Sequence, residues 1–134
     1  MIDLQEISEE DIEFLYSILK ERKPEESIDH VNTPTYIEHE KFVKSKPYTI
    51  WYKILQNNKK IGTIYLSQED EVGIFIKKEF QKKGIGKKAL EIMIKKNPRK
   101  KYFANVNPKN TKSIEFFENF GFKFDQNSYV FNSK

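Results

Sequence analysis

A glycine-containing turn between a predicted buried strand and a predicted helix is the segment of this sequence best suited to bind an anion. Its residues are Gln81, Lys82, Lys83, Gly84, Ile85 and Gly86. The first backbone N–H groups of a helix have no helical acceptor, and the helix dipole adds positive potential there. Glycine also lets a phosphate approach the main chain without a Cβ in the way. The turn predicts a phosphate or pyrophosphate site, and the alternative is an ordinary Gly-x-Gly turn.

Lysines strengthen this prediction, whereas two familiar nucleotide motifs do not fit the turn. Positive side chains within and just after the turn are Lys82, Lys83, Lys87 and Lys88. A dinucleotide fingerprint needs a third glycine, and a Walker A loop ends in Gly-Lys-Ser or Gly-Lys-Thr. The turn has neither feature, so it is neither a dinucleotide fingerprint nor a Walker A loop.

The two histidines are the residues whose ordinary pKa lies nearest neutral pH. An unperturbed pKa of about 6.5 makes His39 a candidate general base, although His30 and His39 also suit exposed positions on a loop and a helix. Their spacing with acidic residues matches no ligand set, so we predict no metal site. Cysteine is absent, which excludes disulfides, thiolate zinc sites and a cysteine nucleophile.

Hydrophobic periodicity predicts strands and helices that would position the turn. Predicted strands begin at Ile2 and cover 48–55, 61–66, 72–76 and 102–106, with a terminal hairpin over 121–131. Helices are predicted after Ser8, after Thr35, over 85–94 and over 110–119, with a loop over 23–34. The run 72–76 is almost wholly apolar, as expected of a central strand buried on both faces.

Length and composition indicate one globular domain. The 134 residues are 37% hydrophobic and 33% charged, with a formal net charge of +4. No apolar run approaches the roughly 20 residues that span a bilayer, and the acidic N-terminus lacks the features of a signal peptide. We therefore predict a cytoplasmic protein with no membrane partner. The mild positive charge suits a phosphate-bearing ligand more than nucleic acid.

Two blocks resemble the GNAT acetyltransferase superfamily. Residues 74–90 read IFIKKEFQKKGIGKKAL and contain the family's Gln/Arg-x-x-Gly-x-Gly/Ala motif between a strand and a helix. Residues 105–122 read NVNPKNTKSIEFFENFGF and are similar to the Asn-x-x-Ser/Ala segment that closes with Gly-Phe. Both blocks lie in the C-terminal half, while 1–67 matches only in the order of its helices and strands. The resemblance is nearest to the branch that acetylates ribosomal proteins and amino sugars.

The resemblance implies a fold and a cosubstrate. It implies an α/β (α+β) domain over 1–134, with a mixed, mostly antiparallel sheet of about six to seven strands and about four flanking helices. Splayed central strands would bind acetyl-CoA, with pantetheine on the strand, pyrophosphate on the turn and the last contacts from the following helix. The implied acetyl-CoA contacts are Ile74, Phe75, Ile76, Gln81, Lys82, Lys83, Gly84, Ile85, Gly86, Lys87, Asn110 and Ser113.

The resemblance also implies direct attack of an amine on the thioester, with the Ile76 N–H stabilising the oxyanion. Two positions depart from the family pattern. Phe117 stands where many relatives have a Tyr that acts as the general acid. Asn105 stands where peptide N-terminal acetyltransferases often have a Glu that acts as the general base. Ser113 matches the Ser that the branch acting on ribosomal proteins and amino sugars carries after its Asn, and the resemblance makes it the candidate acid or thiolate-stabilising donor. Glu71, at the entry of the central strand, is the candidate base, and His39 is its rival.

The implied activity is acetyl transfer from acetyl-CoA to a primary amine of a small molecule, including an amino sugar or a nucleotide-linked amino sugar. The alternative is acetylation of a protein N-terminus of the ribosomal-protein type. A third hypothesis is a non-catalytic acyl-CoA sensor, or a nucleic-acid-binding module built on the basic cluster Lys95, Lys96, Arg99, Lys100 and Lys101. We expect a monomer or a homodimer, with no nucleic-acid partner.

Overall fold

The computed structural model of the protein describes residues 1–22 and 33–124. The loop predicted over 23–34 and the hairpin predicted over 121–131 therefore lie largely outside the described residues. Within the described part, no helix is long and apolar enough to cross a bilayer. The same residues contain no group of three or more His, Cys, Asp or Glu that could hold a metal ion.

Four strands and four α-helices form the described fold. The strands are β1 Ile2–Glu6, β2 Ile50–Gln56, β3 Lys59–Leu66 and β4 Val72–Ile76. The helices are α1 Ile12–Glu21, α2 Tyr36–Lys44, α3 Ile85–Lys96 and α4 Thr111–Phe120. Short 3-10 turns occur at Glu9–Asp11 and Lys78–Phe80. These elements confirm the predicted order of strands and helices up to β4 and the two helices that follow it.

Local sequence explains where two of these elements begin and end. Thr35 and Glu38 form a reciprocal capping box at the start of α2. Asn57 and Asn58 both adopt positive φ angles, 51° and 68°, and join β2 to β3. Two consecutive residues of positive φ suit the twist of a tight β-hairpin, and asparagine tolerates that conformation better than most residues.

The described sheet is antiparallel in the order β1-β2-β3-β4. The strand predicted over 102–106 is reduced to one parallel bridge between Glu71 and Phe103. There, Val72 N donates to Phe103 O at 2.7 Å and Phe103 N donates to Asp70 O at 2.9 Å. The six to seven strands of the prediction are four in the described residues. The chain after Phe103 forms no further ladder with β4 there, and most of the predicted terminal hairpin lies outside the described residues.

Helices cover both faces of the sheet. The larger core joins sheet residues such as Ile54 and Ile64 to Leu90 and Met93 of α3. A smaller cluster on α1 and α2 includes Ile12, Leu15 and Val43, with Phe14 and Trp51 packed against it. Alternation of side chains along each strand separates these two sets. Odd-numbered residues 71, 73 and 75 therefore point to the α1 and α2 face.

One buried carboxylate fastens α1 to this face. Asp11 is fully buried, and its oxygens accept from Lys53 Nζ at 2.9 Å and lie 2.5 Å from Lys60 Nζ. Burial alone would raise the pKa of Asp11, but the hydrogen bonds from Lys60 and Lys53 outweigh it and hold the pKa below its usual value. The ion pairs fix the start of α1 over β2 and β3.

Candidate functional site

The outer edge of β4 carries backbone groups that point away from the sheet. Hydrogen bonds to β3 flank β4 at both ends, each 2.9 Å long: Lys77 N to Ile61 O, and Ser67 N to Glu71 O. Because such pairs alternate in an antiparallel ladder, Gly73 and Phe75 direct their N–H and C=O groups to β3. Ile74 and Ile76 direct theirs outwards. Of the three predicted pantetheine contacts, these two thus face the open edge and Phe75 faces the sheet.

Gln81 is tied to the same edge. Its side-chain amide donates to the Ile76 carbonyl oxygen at 2.8 Å. This bond folds the chain back after β4 and occupies one outward carbonyl. Gln81, a predicted contact at the start of the phosphate turn, therefore also has a structural role. Its side chain sets the direction in which the turn leaves β4.

The N-terminus of α3 lies directly after this turn. Gly84 is its N-cap, with φ of +75°, and provides no side-chain hydrogen bond to the helix. The first helical bond starts at Lys88, whose N–H donates to Gly84 O at 3.2 Å. The N–H groups of Ile85, Gly86 and Lys87 therefore precede the helical hydrogen-bond ladder. A Cβ at Gly84 would meet nothing within 4 Å among the described atoms, so the approach is open.

These features fit a diphosphate. Unpaired N–H groups and the positive end of the helix dipole attract an anion. The side chains of Lys82, Lys83, Lys87 and Lys88 are exposed around the same helix end. Lys82 also has a positive φ of 64°, so the turn alternates conformations in the manner of anion-binding backbone nests.

Gly86 has a packing role as well. A Cβ there would lie 3.1 Å from Phe116 of α4 and 3.7 Å from Ile74 of β4. The missing side chain therefore lets α4 approach the first turn of α3. Sequence reasoning assigned this glycine only to phosphate approach.

Asn110 and Ser113 begin α4. The side-chain oxygen of Asn110 accepts from Ser113 N at 3.2 Å, so Asn110 is the N-cap of this helix. Ser113 is half-buried in the first turn. Its side-chain hydroxyl makes no hydrogen bond within the part of the chain that the structure describes. The cap leaves the amide nitrogen of Asn110 and the Ser113 hydroxyl as groups for a ligand.

Glu71 lies where β4 pairs with Phe103, and two side chains hold its carboxylate. Asn105 donates its amide to Oε2, and Ser67 Oγ lies 3.5 Å from Oε1. Ser67 Oγ also accepts from Glu71 N at 3.0 Å. Sequence reasoning identified Glu71 but missed Ser67 and Asn105 as its partners. The turn between β3 and β4 could have indicated Ser67, whereas no local signal indicates Asn105.

His39, the rival base, lies in a different environment. It is buried between α1 and α2 at 3% exposure, with its ring centroid 5.4 Å from that of Tyr16. Burial lowers the pKa of His39, and a hydrogen bond with the Ile12 backbone opposes this only partly. Its Nε2 has no hydrogen-bond partner among the described residues. No described contact brings His39 to Glu71 or Ser113.

An aromatic cluster lies on the same sheet face as Glu71, and sequence reasoning did not single it out. Its members are Phe42, Tyr48, Trp51 and Tyr65. Tyr48 and Tyr65 stack with centroids 3.7 Å apart, and Trp51 meets both edge-on. Tyr65 pairs with Gly73 across the β3-β4 ladder. The cluster therefore borders the entry of β4.

The sequence profile described as the acetyltransferase (GNAT) family matches residues 12–122. This is most of the chain, and the chain belongs to that family. It is accordingly a GNAT acetyltransferase with acetyl-CoA as its cosubstrate. No curated protein matches the chain in sequence.

Solved structures share the fold at low sequence identity. A domain from Methanocaldococcus jannaschii DSM 2661 is 24% identical with a TM-score of 0.82, over 96% of this chain and 92% of that one. A Salmonella typhimurium acetyl transferase that modifies the N-terminal serine of ribosomal protein L7/L12 is 16% identical with a TM-score of 0.71, over 90% and 79%. AAC(6')-Iy, in complex with the bisubstrate analogue CoA-S-monomethyl-acetylneamine, is 15% identical with a TM-score of 0.70, over 100% and 99%.

Proposed function

We propose that this enzyme moves the acetyl group of acetyl-CoA directly to a primary amine of a small molecule, including an amino sugar or a nucleotide-linked amino sugar. One observation carries the proposal. The uncapped start of α3 follows the outward-facing edge of β4, and the carboxylate of Glu71 lies at the other end of the same strand. Acetyl-CoA supplies the activated acetyl group as a thioester.

Main-chain groups would hold most of the cosubstrate. The N–H and C=O groups of Ile74 face outwards and suit the amide groups of pantetheine, as an added strand would. The N–H groups of Ile85, Gly86 and Lys87 suit the pyrophosphate. Asn110 and Ser113 would contact the cosubstrate beyond the thioester from the start of α4. The backbone groups of Phe75, the remaining predicted pantetheine contact, face β3 and have no part in this arrangement.

Glu71 is the proposed general base. An amine attacks as its neutral form, so its proton must leave during the reaction. The Glu71 carboxylate is held by Asn105 and Ser67 on the face that β4 turns to α1 and α2. A carboxylate fixed in this way accepts the proton directly or through one water. The buried site of His39 favours Glu71 over its rival.

Two further groups act on the acetyl group and the leaving thiolate. The outward N–H of Ile76 would stabilise the developing oxyanion. The hydroxyl of Ser113 would donate to the thiolate, because Phe117 supplies no proton at the position where many relatives have Tyr. The backbone N–H of Ser113 still donates to the side-chain oxygen of Asn110. Only the hydroxyl of Ser113 is therefore needed for the donation to the thiolate.

Acetylation of a protein N-terminus is the second candidate. The Salmonella acetyl transferase, which modifies the N-terminal serine of a ribosomal protein, supports this second candidate. The CoA-linked acetylneamine in the AAC(6')-Iy structure supports a small-molecule amine instead. The aromatic cluster beside Glu71 favours the small molecule, because aromatic faces bind the apolar faces of compact rings.

We also propose that the chain forms a single cytoplasmic domain with a sheet of six to seven strands, and that it acts as a monomer or a homodimer.

An acceptor screen tests this assignment. Purified protein is incubated with labelled acetyl-CoA and either a panel of amino sugars or a panel of peptides with free N-termini. We expect label in amino sugars, and less in the Glu71→Gln variant. Label confined to peptides would establish the second candidate instead. Binding of CoA without labelling of any acceptor would indicate an acyl-CoA sensor.

A further inference from the structure

We propose that Glu21 is a positioning residue for CoA, which it serves by capping the short helical turn that leads from β4 to the phosphate turn at 81–86. The inference rests on the proposed function and concerns a residue outside both blocks of the family resemblance. Glu21 is the last residue of α1, and its Oε1 accepts from the backbone N–H of Lys78 at 3.2 Å. Its Oε2 lies 3.7 Å from Lys77 Nζ. Two contacts thus join the end of α1 to the chain directly after β4.

The carboxylate of Glu21 stands where an isolated helix disfavours it. The C-terminal end of a helix is the negative end of its dipole, so an acidic side chain in the last turn is unfavourable. A hydrogen bond from the Lys78 N–H and the ammonium of Lys77 offset this effect. The side chains of Glu21 and Lys77 are 28% and 24% exposed, so water screens their ion pair only in part. The contacts after β4 therefore account for a carboxylate at this position.

The backbone N–H of Lys78 has no acceptor within its own turn. Lys78 is the first residue of the 3-10 turn after β4, and the first N–H groups of a helical turn precede its hydrogen-bond ladder. The bonds inside the turn run from Phe80 N to Lys77 O at 2.8 Å and from Gln81 N to Lys78 O at 3.3 Å. Lys77 is the N-cap and provides no side-chain hydrogen bond. Glu21 therefore supplies, from another element, the cap that the local sequence does not provide.

The helix that carries this cap is fixed on the sheet. Asp11, directly before α1, is buried and paired with lysines of β2 and β3. Phe14 lies on the same helix face as Glu21, because seven residues make about two helical turns. The ammonium groups of Lys60 and Lys77 lie 5.9 and 5.8 Å from the centroid of its ring. Both distances suit cation–π attraction. The position of α1 therefore determines where Glu21 holds the turn.

The capped turn sets the spacing between two parts of the proposed CoA site. Residues 77–80 connect the outward edge of β4, proposed to hold pantetheine, with the phosphate turn before α3. Gln81 follows directly, and its side chain donates to Ile76 O at 2.8 Å. A segment held in the bound geometry needs no further ordering when the ligand binds, which preserves affinity. Glu21 acts through Lys78, which is not among the predicted CoA contacts.

A double-mutant cycle on CoA affinity tests this role by calorimetry. Glu21→Ala removes the acceptor, and Lys78→Pro removes the N–H. Lys77 has φ of −57° and ψ of 143°, a conformation compatible with a following proline, and proline is tolerated at the first helical position. We expect Glu21→Ala to weaken CoA binding by about threefold to tenfold, the net effect of one hydrogen bond. In the Lys78→Pro background we expect less than about twofold, because the bond is already absent.

Two further variants serve as control and rescue. Glu13→Ala removes an exposed carboxylate from the same helix and should leave CoA affinity unchanged. Glu21→Gln keeps a side-chain oxygen for the Lys78 N–H and should retain most of the wild-type affinity. Urea denaturation establishes that each variant is folded under the assay conditions. If Glu21→Ala does not fold, Glu21→Asp replaces it in the cycle, because its carboxylate is one methylene further from the N–H.

The outcomes separate this inference from the proposed function. Unchanged CoA affinity in folded Glu21→Ala, or an equal loss in both backgrounds, would overturn the role of Glu21, even if the substitution lowers the free energy of unfolding. In transfer assays, Glu21→Ala should raise the KM for acetyl-CoA and leave the KM for the amine unchanged. A wild type that binds CoA but acetylates no amine would overturn the proposed transfer alone.

Discussion

At the scale of single residues, the proposed chemistry depends on the carboxylate of Glu71 and on the two side chains that hold it, Asn105 and Ser67. The family resemblance made Glu71 and Ser113 candidates for proton transfer, since their residue types alone do not distinguish them from other polar residues. In the sequence, Asn105 was notable only because it replaces the Glu of peptide N-terminal acetyltransferases. In the structure, its side-chain amide donates to the Glu71 carboxylate. The pairing depends on the parallel bridge at Phe103, which joins segments about thirty residues apart. Side-chain chemistry is local, whereas partnership depends on the tertiary fold.

Glu71 and Asn105 should differ in how much they affect turnover. Glu71→Gln removes the base, and we expect kcat to fall by about 10² to 10⁴-fold. Asn105→Ala removes a hydrogen bond to a charged group, worth about 1.5–3 kcal/mol, so a fall of about tenfold or more is expected. Steady-state kinetics at saturating acetyl-CoA measures both.

Asn119→Ala, which truncates an exposed amide on α4, is the control for the Asn105 variant. Wild-type turnover in Asn105→Ala beside an inactive Glu71→Gln would mean that Glu71 works without this partner.

At the scale of elements, the strongest local signals gave accurate predictions. The capping box of Thr35 and Glu38 and the Asn57-Asn58 turn are encoded within a few residues, and both form as expected. The 102–106 segment has a strand-like composition but pairs with β4 only at Phe103. Composition reports the tendency to extend, whereas the partner that completes a ladder is set by the rest of the fold. The single bridge at Phe103 could therefore be found only in the structure.

The turn before α3 should be sensitive to a methyl group at Gly84. Gly84→Ala meets no atom within 4 Å but must adopt φ of +75°. We expect a loss of about 1 kcal/mol in the free energy of unfolding, the cost of a left-handed conformation for alanine. Urea denaturation measures it, with the neighbouring exposed Lys83→Ala as control. Equal stability of the two variants would contradict the backbone assignment at Gly84.

At the scale of the whole molecule, the sheet separates two hydrophobic clusters and the proposed functional residues that lie near them. The α3 and α4 side holds the main core and the proposed cosubstrate contacts, and the α1 and α2 side holds Glu71 and the aromatic cluster. Sequence periodicity predicted both helix pairs but not which face each would cover. His39 illustrates the difference, because its chemistry suggested a base and the packing of α1 on α2 buries it. Burial is a property of the assembled molecule.

The buried His39 should make stability depend on pH. Its pKa is lowered in the folded protein, so between that value and about 6.5 the unfolded chain binds more protons. The free energy of unfolding should therefore fall as pH drops below about 6.5. His39→Asn removes the titrating ring and should flatten this slope, whatever its effect on absolute stability. Urea denaturation between pH 5 and 8 compares the slopes, and equal slopes would contradict the assignment.

The most direct test of the central claim is a calorimetric titration of CoA into the protein and two charge-matched variants. Lys87→Glu reverses a charge in the first turn of α3. A carboxylate there interacts favourably with the helix dipole but repels a phosphate. Lys95→Glu makes the same change in the last turn. We expect saturable binding to the wild type, affinity about tenfold weaker in Lys87→Glu, and little change in Lys95→Glu. The central claim is that the N-terminus of α3 binds the diphosphate of CoA. A folded wild type without binding heat, or equal weakening of CoA affinity in both variants, would contradict this claim.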